Sequence, residues 1–513
     1  MPHFKQMPMH PSQTMLFGLS VEDALPSNSD VRAFNDVMEC LDYSLMESRC
    51  SEVGCPPYPP KVMVKVLGYA YSQGVRSSRR IETLLSIDVR FIWLAGGLKP
   101  DHNTLARFRK ERWEDITGLL EDSARVSAEA GLVFLNTVCT DGSKILAAAS
   151  RKRVYGQERI KRGMDAVEKI LREAEEVDLA EDEQYGSGTD GEIPEHLRDA
   201  KERKARLEKI AKQLEDSKKK AVVETEPDSR VMLTSEGKRP AYNMQTSVDA
   251  DNQIIIAMKL TQSENDHGYL PEMVKEIESN IGLAPDMSIA DTGYGDEKTL
   301  KWLEETGHDA LIPPQEYSEG SRRKGLFAAK CFLHAGDRDV LICPAGRELD
   351  FRAEYKKSNG TYRRYAVFGC SDCSFRNECV GKNGHGRRID VSIMARQKEQ
   401  MRERLDSEEG RLLYQQRQQT SEPVFGRIKE NMGLRRFLLR GIEGATAESA
   451  LACLAHNVLK CAASLSAMTY LRANKPLTAG LRVVVCVVAR FAQWLTHKPA
   501  RLAIQPRLAS YSF

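Results

Sequence analysis

The main indication of the fold is the stretch LVFLNTVCTDGSKILAA, residues 132–148. A mostly apolar run reaches Asp141 and then turns at Gly142. Its length and composition are typical of a buried strand. A second short apolar run, MSIADTGYG at residues 287–295, reaches Asp291 in the same way. Acidic side chains are rarely buried unless they are paired or bind metal. The sequence therefore predicts two buried strands that each carry a carboxylate to a cleft.

The segments around these two runs predict a mixed core of strands and helices. Residues 241–260, AYNMQTSVDADNQIIIAMKL, form two alternating runs on either side of a turn, which predicts a β-hairpin. A helix is expected from about Tyr269 to Asn280, and HDALIPP at residues 308–314 predicts another strand. We therefore expect an α/β (mixed α+β) fold, with one core and insertions between its elements.

Changes of pattern along the chain predict seven segments. The N-terminal part has apolar residues at helical spacing, and Asp101 or Asn103 is expected to cap one of its helices. The expected segments are a helical domain (1–130), the first core strand (131–151), a charged helical hairpin (152–222), the continued core (223–324), an irregular, strand-poor, cysteine-rich insertion (325–390), core helices (391–470) and a C-terminal tail (471–513).

Composition limits the class of protein. The chain has 513 residues, of which 41% are hydrophobic and 29% are charged, as expected for a globular protein with several domains. Its formal net charge of +2 means that any surface for nucleic acid must be local. The longest apolar stretch, residues 480–495, contains two arginines and is too short to span a bilayer. The scattered cysteines and the polar start predict a reducing, cytoplasmic location.

Asp141, Asp291 and Glu422 are the candidate catalytic residues. Two aspartates from neighbouring strands and a glutamate from a helix packed on the sheet can hold two Mg²⁺ or Mn²⁺ ions roughly 3.5–4 Å apart. Each residue alone has a simpler explanation. An Asp before Gly often forms a turn, and Glu422, expected with Pro423 to open a helix, is a common partner of a helix N-terminus. The combination of all three favours a metal site.

At these positions the sequence resembles the DDE transposases of bacterial insertion sequences. Residues 139–150, CTDGSKILAAAS, are similar to the family's first Asp motif, and residues 289–300, IADTGYGDEKTL, to its second. Residues 414–441, YQQRQQTSEPVFGRIKENMGLRRFLLRG, resemble the third. In a large branch of the family that motif has Tyr, two residues, Arg, three residues, Glu, six residues and Lys. The corresponding residues here are Tyr414, Arg417, Glu422 and Lys429. The interval between Arg and Glu is one residue longer than in that branch.

The resemblance implies an RNase H-like catalytic core that cleaves DNA at the ends of an insertion sequence and joins it to target DNA. It also implies phosphate contacts from the third motif and the basic residues after it, namely Tyr414, Arg417, Lys429, Arg435 and Arg436. Residues 56–85 and 91–110 resemble the family's helical N-terminal domain, whose implied role is to bind terminal inverted repeats or to assemble the complex. Basic residues there are candidate DNA contacts, although a solvated helix face is the alternative. They are Arg76, Arg79, Arg80, Arg107 and Arg109.

Four cysteines form a separate signal. Cys343, Cys370, Cys373 and Cys379 have a spacing from which four thiolates could close a structural zinc site. Cys331, His334 or His385 could replace one ligand. Free buried thiols are the alternative.

Transposition is the function that these signals favour together. The implied partners are double-stranded DNA, as terminal repeats and target, and a second copy of the chain on paired ends. The implied location is the nucleoid in a bacterial cytoplasm. An RNase H-like nuclease that does not join strands would use the same carboxylates. A non-catalytic DNA-binding protein derived from a transposase would be expected to have lost at least one of them.

Overall fold

The computed structural model describes residues 20–51, 55–185, 195–217, 219–314, 326–335, 338–357, 360–380 and 385–464. The C-terminal tail predicted at residues 471–513 lies outside these ranges.

Strands in the described residues form a central six-stranded sheet, a five-stranded sheet and a two-stranded ribbon. Their bounds are β1 Val138–Leu146, β2 Val154–Gly156, β3 Ala221–Val223, β4 Arg230–Thr234, β5 Gly237–Asp249, β6 Ile255–Thr261, β7 Met287–Ala290, β8 Asp309–Leu311, β9 Leu333–His334, β10 Val340–Ile342, β11 Glu348–Lys357, β12 Gly360–Phe368 and β13 Gly386–Ser392.

Helices surround the central sheet and make up most of the N-terminal part. Their bounds are α1 Asp30–Met38, α2 Ser44–Ser48, α3 Pro60–Ser72, α4 Ser78–Ile87, α5 Val89–Leu94, α6 His102–Glu111, α7 Trp113–Glu129, α8 Gln157–Tyr185, α9 Glu195–Ser217, α10 Tyr269–Ile281, α11 Glu297–Thr306, α12 Arg376–Cys379, α13 Ala395–Asp406, α14 Glu408–Gly426 and α15 Gly441–Ser464. A π-helical turn, Arg427–Asn431, continues α14. As predicted, Asp101 caps α6 by accepting the N–H groups of Asn103 and Thr104.

The central sheet has the strand order β6–β5–β1–β7–β8. β5 runs antiparallel to β1, whereas β7 and β8 run parallel to β1. The other edge of β5 is shared by β4 and β6, both antiparallel to it. An antiparallel hairpin followed by parallel strands that are joined through helices is the topology of an RNase H-like core. The predicted mixed α/β fold is therefore confirmed.

Helices cover both faces of this sheet. Side chains alternate between the faces of a strand, so Val138 enters the main core, whereas Cys139 faces α13 and α14 on the opposite side. The main core contains α15, which packs against α3, α7 and β6. Its apolar cluster runs from Leu25 to Cys461 and includes the N-terminal helices. The predicted boundary near residue 130 falls between α7 and β1, but the helices before it share one core with the central sheet.

The two insertions differ in how well the sequence predicted them. α8 and α9 pack on each other through Val167, Ala200 and Leu207, which confirms the helical hairpin. The prediction of an irregular, strand-poor segment at residues 325–390 is wrong, because β9 to β13 form an antiparallel sheet there. Leu349 and Tyr365 are buried in the small core of this sheet. We call residues 326–392 the cysteine module.

Candidate active site

Asp141 and Asp291 are brought together by two parallel strands. β1 and β7 pair in the register Val138↔Ser288 to Thr140↔Ala290, so the next residue of each strand is an aspartate. Asp141 continues along β1, opposite Thr246 of β5, whereas Asp291 begins a turn by accepting the N–H of Gly293 at 2.8 Å. The strand pairing thus gives the two predicted aspartates one location at the edge of the sheet.

A third carboxylate, Asp266, lies at the same place and was missed in the sequence. It follows β6, and its Oδ1 accepts hydrogen bonds from Asn243 Nδ2 at 2.7 Å and Gln245 Nε2 at 2.6 Å, both on β5. A Cβ atom on Gly142 would lie 2.5 Å from Asp266 Oδ1. A Cβ atom on Gly293 would lie 3.0 Å from Asp266 Oδ2 and 2.9 Å from Asp291 Oδ1. The glycines near both catalytic candidates therefore leave space that Asp266 uses.

The electrostatics of this cluster disfavour ionisation. Burial, together with the charges of Asp291 and Asp266, raises the pKa of Asp141 to about 6, although the Arg417 guanidinium lowers it. Burial also raises the pKa of Asp291, and Asp266 adds to that effect. Carboxylates that are costly to ionise together become favourable ligands once a cation shares their charge. The cluster therefore fits a divalent cation with oxygen ligands.

The third motif approaches the cluster from α14. Arg417 Nη1 donates to Asp141 Oδ2 at 3.0 Å, and both side chains are nearly buried. The guanidinium also lies 5.8 Å from the centre of the Tyr414 ring. Lys429, on the π-helical turn, donates to Ser143 Oγ at 2.5 Å, two residues beyond Asp141 on β1. Three of the four motif residues thus lie beside the first aspartate.

Glu422 has a different position. It is exposed on α14, five residues after Arg417 and so about 140° around the helix from it. Within the described ranges, no hydrogen bond or ion pair joins Glu422 to Asp141 or Asp291. The expectation that Glu422 opens a helix is wrong, because α14 begins at Glu408, fourteen residues earlier.

Pro423 is accommodated inside α14 by a side chain from the sheet. A proline has no N–H to donate to the carbonyl four residues earlier, which here belongs to Gln419. Gln253, in the turn between β5 and β6, supplies a donor instead, since its Nε2 bonds to Gln419 O at 2.9 Å. Its Oε1 accepts from Lys460 and its backbone O bonds to His456 Nε2, both on α15 and both at 2.8 Å. Gln253 thus connects the two helices that flank the sheet.

In the described part of the chain, no group of three or more His, Cys, Asp or Glu side chains is already arranged to hold a metal ion. Asp141 in particular is engaged by Arg417. The aspartate cluster supplies suitable oxygens, but cation binding requires side chains to reorient.

Two stretches of the chain match models of known protein families. Residues 342–462 match the model of a transposase DDE domain, which includes Arg417, Glu422 and Lys429. Residues 19–111 match the model of a second transposase domain. Both matches support a DDE-type transposase of an insertion element. Asp141 and Asp291 lie outside both matched regions, and no individual curated protein matches the transposase.

The N-terminal arginines of the transposase divide into two groups. Arg109 is buried and donates to Tyr71 Oη, Arg76 O and Ser78 Oγ at 2.6–3.0 Å. Arg76 forms an ion pair of 3.0 Å with Glu448, which is fully buried on α15. These contacts give both arginines a structural role, so we do not retain them as DNA contacts. The exposed members of the predicted set are Arg79, Arg80 and Arg107.

The basic residues after the π-helical turn join the end of β1. The Leu146 N–H donates to Arg435 O at 3.1 Å, and the Phe437 N–H donates to Leu146 O at 2.8 Å. Arg436 Nη1 donates to Ala149 O at 3.1 Å, while Arg435 forms an ion pair with Glu430. Both side chains are exposed.

The four candidate zinc ligands converge in the cysteine module. Cys343, Cys370, Cys373 and Cys379 line one cavity of about 10 Å³, which is room for about one water-sized particle. Cys343 Sγ also accepts the N–H of Arg347 at 3.3 Å. Burial raises the pKa of Cys379, with further increases from the other three cysteines. The thiols are therefore close neighbours, although they are not yet arranged around an ion.

The described helices include none that is both long and apolar enough to cross a membrane.

Proposed function

We propose that this transposase cleaves DNA at the ends of its element and joins the freed 3′ ends to target DNA by metal-dependent phosphoryl transfer. The observation that carries the proposal is the half-buried pair Asp141 and Asp291, held side by side by parallel strands next to Asp266. Function at such a site depends on positioning and charge neutralisation and needs no covalent protein intermediate.

Asp141, Asp291 and Glu422 are the proposed catalytic carboxylates, and Asp266 adds a fourth close to the two aspartates. When two Mg²⁺ or Mn²⁺ ions are bound, they activate the attacking hydroxyl and neutralise charge on the phosphate. The two amides that hold Asp266 Oδ1 fix this carboxylate and leave Oδ2 directed towards the Asp291 side of the cluster. Glu422 requires a local change in α14 to reach the aspartates.

The basic residues of the third motif are proposed to bind the DNA backbone around the reacting phosphate. Tyr414, Arg417 and Lys429 lie beside β1, and Arg435 and Arg436 lie further along the same strand. Arg417 acts as the counterion of Asp141 when DNA and metal are absent. Transfer of its guanidinium to a phosphate would free that carboxylate.

Magnesium-dependent cleavage and strand transfer on the element's own end sequences test this proposal. We would compare the wild type with Asp141→Asn, Asp291→Asn, Asp266→Asn and Glu422→Gln. All four should lose joined products by at least about 100-fold while they retain DNA binding. Near-normal products from a variant would remove that residue from the site. Cleavage without joining by the wild type would favour a nuclease, and binding without cleavage would favour a non-catalytic protein.

A second measurement tests whether Asp266 is a metal ligand. The increase in melting temperature on addition of Mn²⁺ reports metal binding without requiring turnover. If Asp266 holds the ion, Asp266→Asn should abolish the increase, whereas Glu264→Gln, the same charge change in an exposed residue of the same loop, should not. An unchanged increase in Asp266→Asn would show that this residue is not a ligand.

A structural zinc ion in the cysteine module is a separate part of the proposal. It is supported by the convergence of the four cysteines on one cavity. Purified transposase should contain about one zinc per chain by elemental analysis, and Cys370→Ser should lose it. Cys40→Ser, at an exposed cysteine outside the module, is the matched control. Absence of zinc from the wild type would contradict this part alone.

Double-stranded DNA and a second copy of the chain are the proposed partners. Arg79, Arg80 and Arg107 are the N-terminal residues that we propose to contact terminal repeats, since their side chains are exposed. Pairing of the two element ends calls for two copies of the chain. Light scattering with and without end DNA would measure that stoichiometry.

A further inference from the structure

A basic cleft lies where the sheet meets the helical hairpin. Five cations line it: Arg151, Lys152, Arg159, Arg239 and Arg436. The other lining residues, 148–150, are uncharged, so the cleft contains no carboxylate. Its volume is about 770 Å³. In a chain whose net charge is only +2, this concentration of one sign is local.

A second hollow continues the cleft along the base of the hairpin. Arg159 lines both, and the second hollow adds Arg162 and Arg203, together with Arg206. Arg206 is neutralised by an ion pair with Glu224. The two hollows form one basic surface from the end of β1 to the first turns of α8, which we call the hairpin cleft.

Some of the positive charge of the hairpin cleft is paired, since Arg239 and Arg162 lie 3.7 Å from Glu236 and Glu158, but no ion pair with the other cations of its first hollow is found among the described residues. Arg151 and Lys152 are exposed, and no ion pair within the described ranges includes either. Arg159 donates to Val154 O and Lys152 O, both at 2.8 Å, and stacks on Tyr155 at 4.6 Å. Backbone carbonyls orient a guanidinium without cancelling its charge. Like charges that are held together in this way repel one another unless an anion binds between them.

The hairpin cleft is connected to the active site through β1. The strand carries Asp141 in its middle, and its end bonds to the segment that contains Arg436. At roughly 3.3 Å per residue, the eight residues from Asp141 to Ala149 span at most about 26 Å. That length corresponds to about eight base pairs of B-DNA at about 3.4 Å per pair. Lys429 lies between the two ends of this path, bonded to Ser143.

We propose that the hairpin cleft binds the sugar–phosphate backbone of duplex DNA next to the cleavage site. The inference rests on the proposed function for the position of the reacting phosphate, and it gives the hairpin insertion a role. Recognition is of phosphate and independent of sequence, because contacts between cations and the sugar–phosphate backbone position a protein on DNA without reading its bases.

Fluorescence anisotropy with a labelled 30-base-pair duplex of unrelated sequence tests the proposal on the full chain. We would compare Arg151→Gln/Lys152→Gln with the wild type in buffer without added Mg²⁺ or Mn²⁺, where no metal-dependent cleavage occurs. The variant should bind about tenfold more weakly, and the slope of log K against log salt should become shallower by about 2. Neither substituted side chain packs in the core, so the fold should survive.

Lys161→Gln/Lys201→Gln is the matched control. It removes the same charge from exposed positions of α8 and α9, and Lys161 lies about 200° around α8 from Arg159. Equal weakening in both double variants would overturn the proposal, because binding would then follow total charge. An unchanged slope in Arg151→Gln/Lys152→Gln would also overturn it. Arg239→Gln, on β5, provides a second independent test with an expected change in slope of about 1. These binding measurements do not require cleavage, so a protein that failed to cleave DNA would still test the proposal about the hairpin cleft.

Discussion

At the residue scale, Arg417 partly neutralises Asp141, the first of the proposed catalytic carboxylates. Its guanidinium takes the place beside Asp141 that a cation would otherwise occupy. The same side chain is a candidate for binding DNA phosphate. Before DNA binds, Arg417 therefore partly neutralises the negative charge of the site.

Arg417→Gln should consequently change metal binding and cleavage in opposite directions. Removal of a cation from Asp141 should strengthen Mn²⁺ binding, measured by calorimetry, by about threefold to tenfold, or up to about 1.4 kcal/mol. DNA cleavage should fall at least about tenfold because a phosphate contact is lost. Arg411→Gln, at an exposed position on the same helix, should change neither. Weaker metal binding in Arg417→Gln would contradict this account.

His456 provides a pH-dependent contribution to stability. Burial lowers its pKa to about 3, and its Nε2 donates to the carbonyl of Gln253. The neutral form is therefore retained in the folded protein, while the unfolded chain takes up a proton near pH 6.5. Well above pH 6.5, His456 is neutral in both states and does not affect stability. As the pH falls towards 3, protonation of His456 in the unfolded chain lowers the free energy of unfolding. From pH 7 to pH 5 it should cost about 2 kcal/mol.

His456→Gln keeps a donor for the Gln253 carbonyl but does not titrate. Denaturant unfolding at pH 7 and pH 5 should show a smaller loss of stability for this variant than for the wild type, by about 2 kcal/mol. All other titrating groups are common to both proteins and cancel in the comparison. Parallel losses in the two proteins would mean that His456 is not held neutral.

Sequence patterns predicted the site residues that directly follow apolar runs. They did not predict residues whose position depends on contacts between parts of the chain that are far apart in sequence. Asp141 and Asp291 were predictable because a buried strand precedes each. Asp266 lies in a polar loop, and only its bonds to Asn243 and Gln245 place it in the cluster. For Arg109, a basic helical run gave no sign that tertiary contacts would bury its guanidinium.

At the scale of elements, α14 shows how a local rule can be overridden. A proline inside a helix is favoured in its first turn, which is why residues 422 and 423 were expected at the beginning of one. Gln253 removes part of the penalty by donating to the Gln419 carbonyl, so the helix continues through Pro423. The cysteine module is a similar case, because charged residues of both signs in its strands hide an alternation that places Tyr365 and Ile389 inside.

The link between Gln253 and Pro423 should appear as a coupling energy. Gln253→Ala should destabilise the protein by up to about 1 kcal/mol more when Pro423 is present than in Pro423→Ala, where residue 423 regains an N–H for the Gln419 carbonyl. A double-mutant cycle of unfolding free energies measures the difference. Additive effects would show that water satisfies this carbonyl equally well. Gln418→Ala, on the exposed side of α14, is the control partner.

At the scale of the whole molecule, Glu448 holds three parts of the chain together. From α15 it accepts the N–H groups of Leu438 and Leu439 at 2.9 and 2.6 Å and pairs with Arg76 before α4. It is fully buried, so its charge depends on these partners. The helical N-terminal part is thereby fixed to the segment that follows the active-site lysine.

Glu448→Ala should destabilise the whole protein by about 3–5 kcal/mol, because it leaves Arg76 and two N–H groups unpaired. Arg76→Met/Glu448→Met should recover much of that loss, since both charges are removed together. Thermal melts followed by circular dichroism would compare the two. A single variant that is as stable as the wild type would contradict the buried ion pair. A separate melting transition of the N-terminal helices would contradict the shared core.

The shared core also bears on how the transposase is made. α15 completes a core to which α1 already contributes, so the N-terminal helices cannot finish burying their apolar faces until residue 461 has been synthesised. At about 5–20 residues per second, translation to that point takes roughly 20 to 90 seconds. Throughout that time the growing chain displays unburied apolar surface at the ribosome. Chaperone supply during synthesis, rather than the stability of the finished fold, should therefore limit how many active molecules a cell obtains from each message.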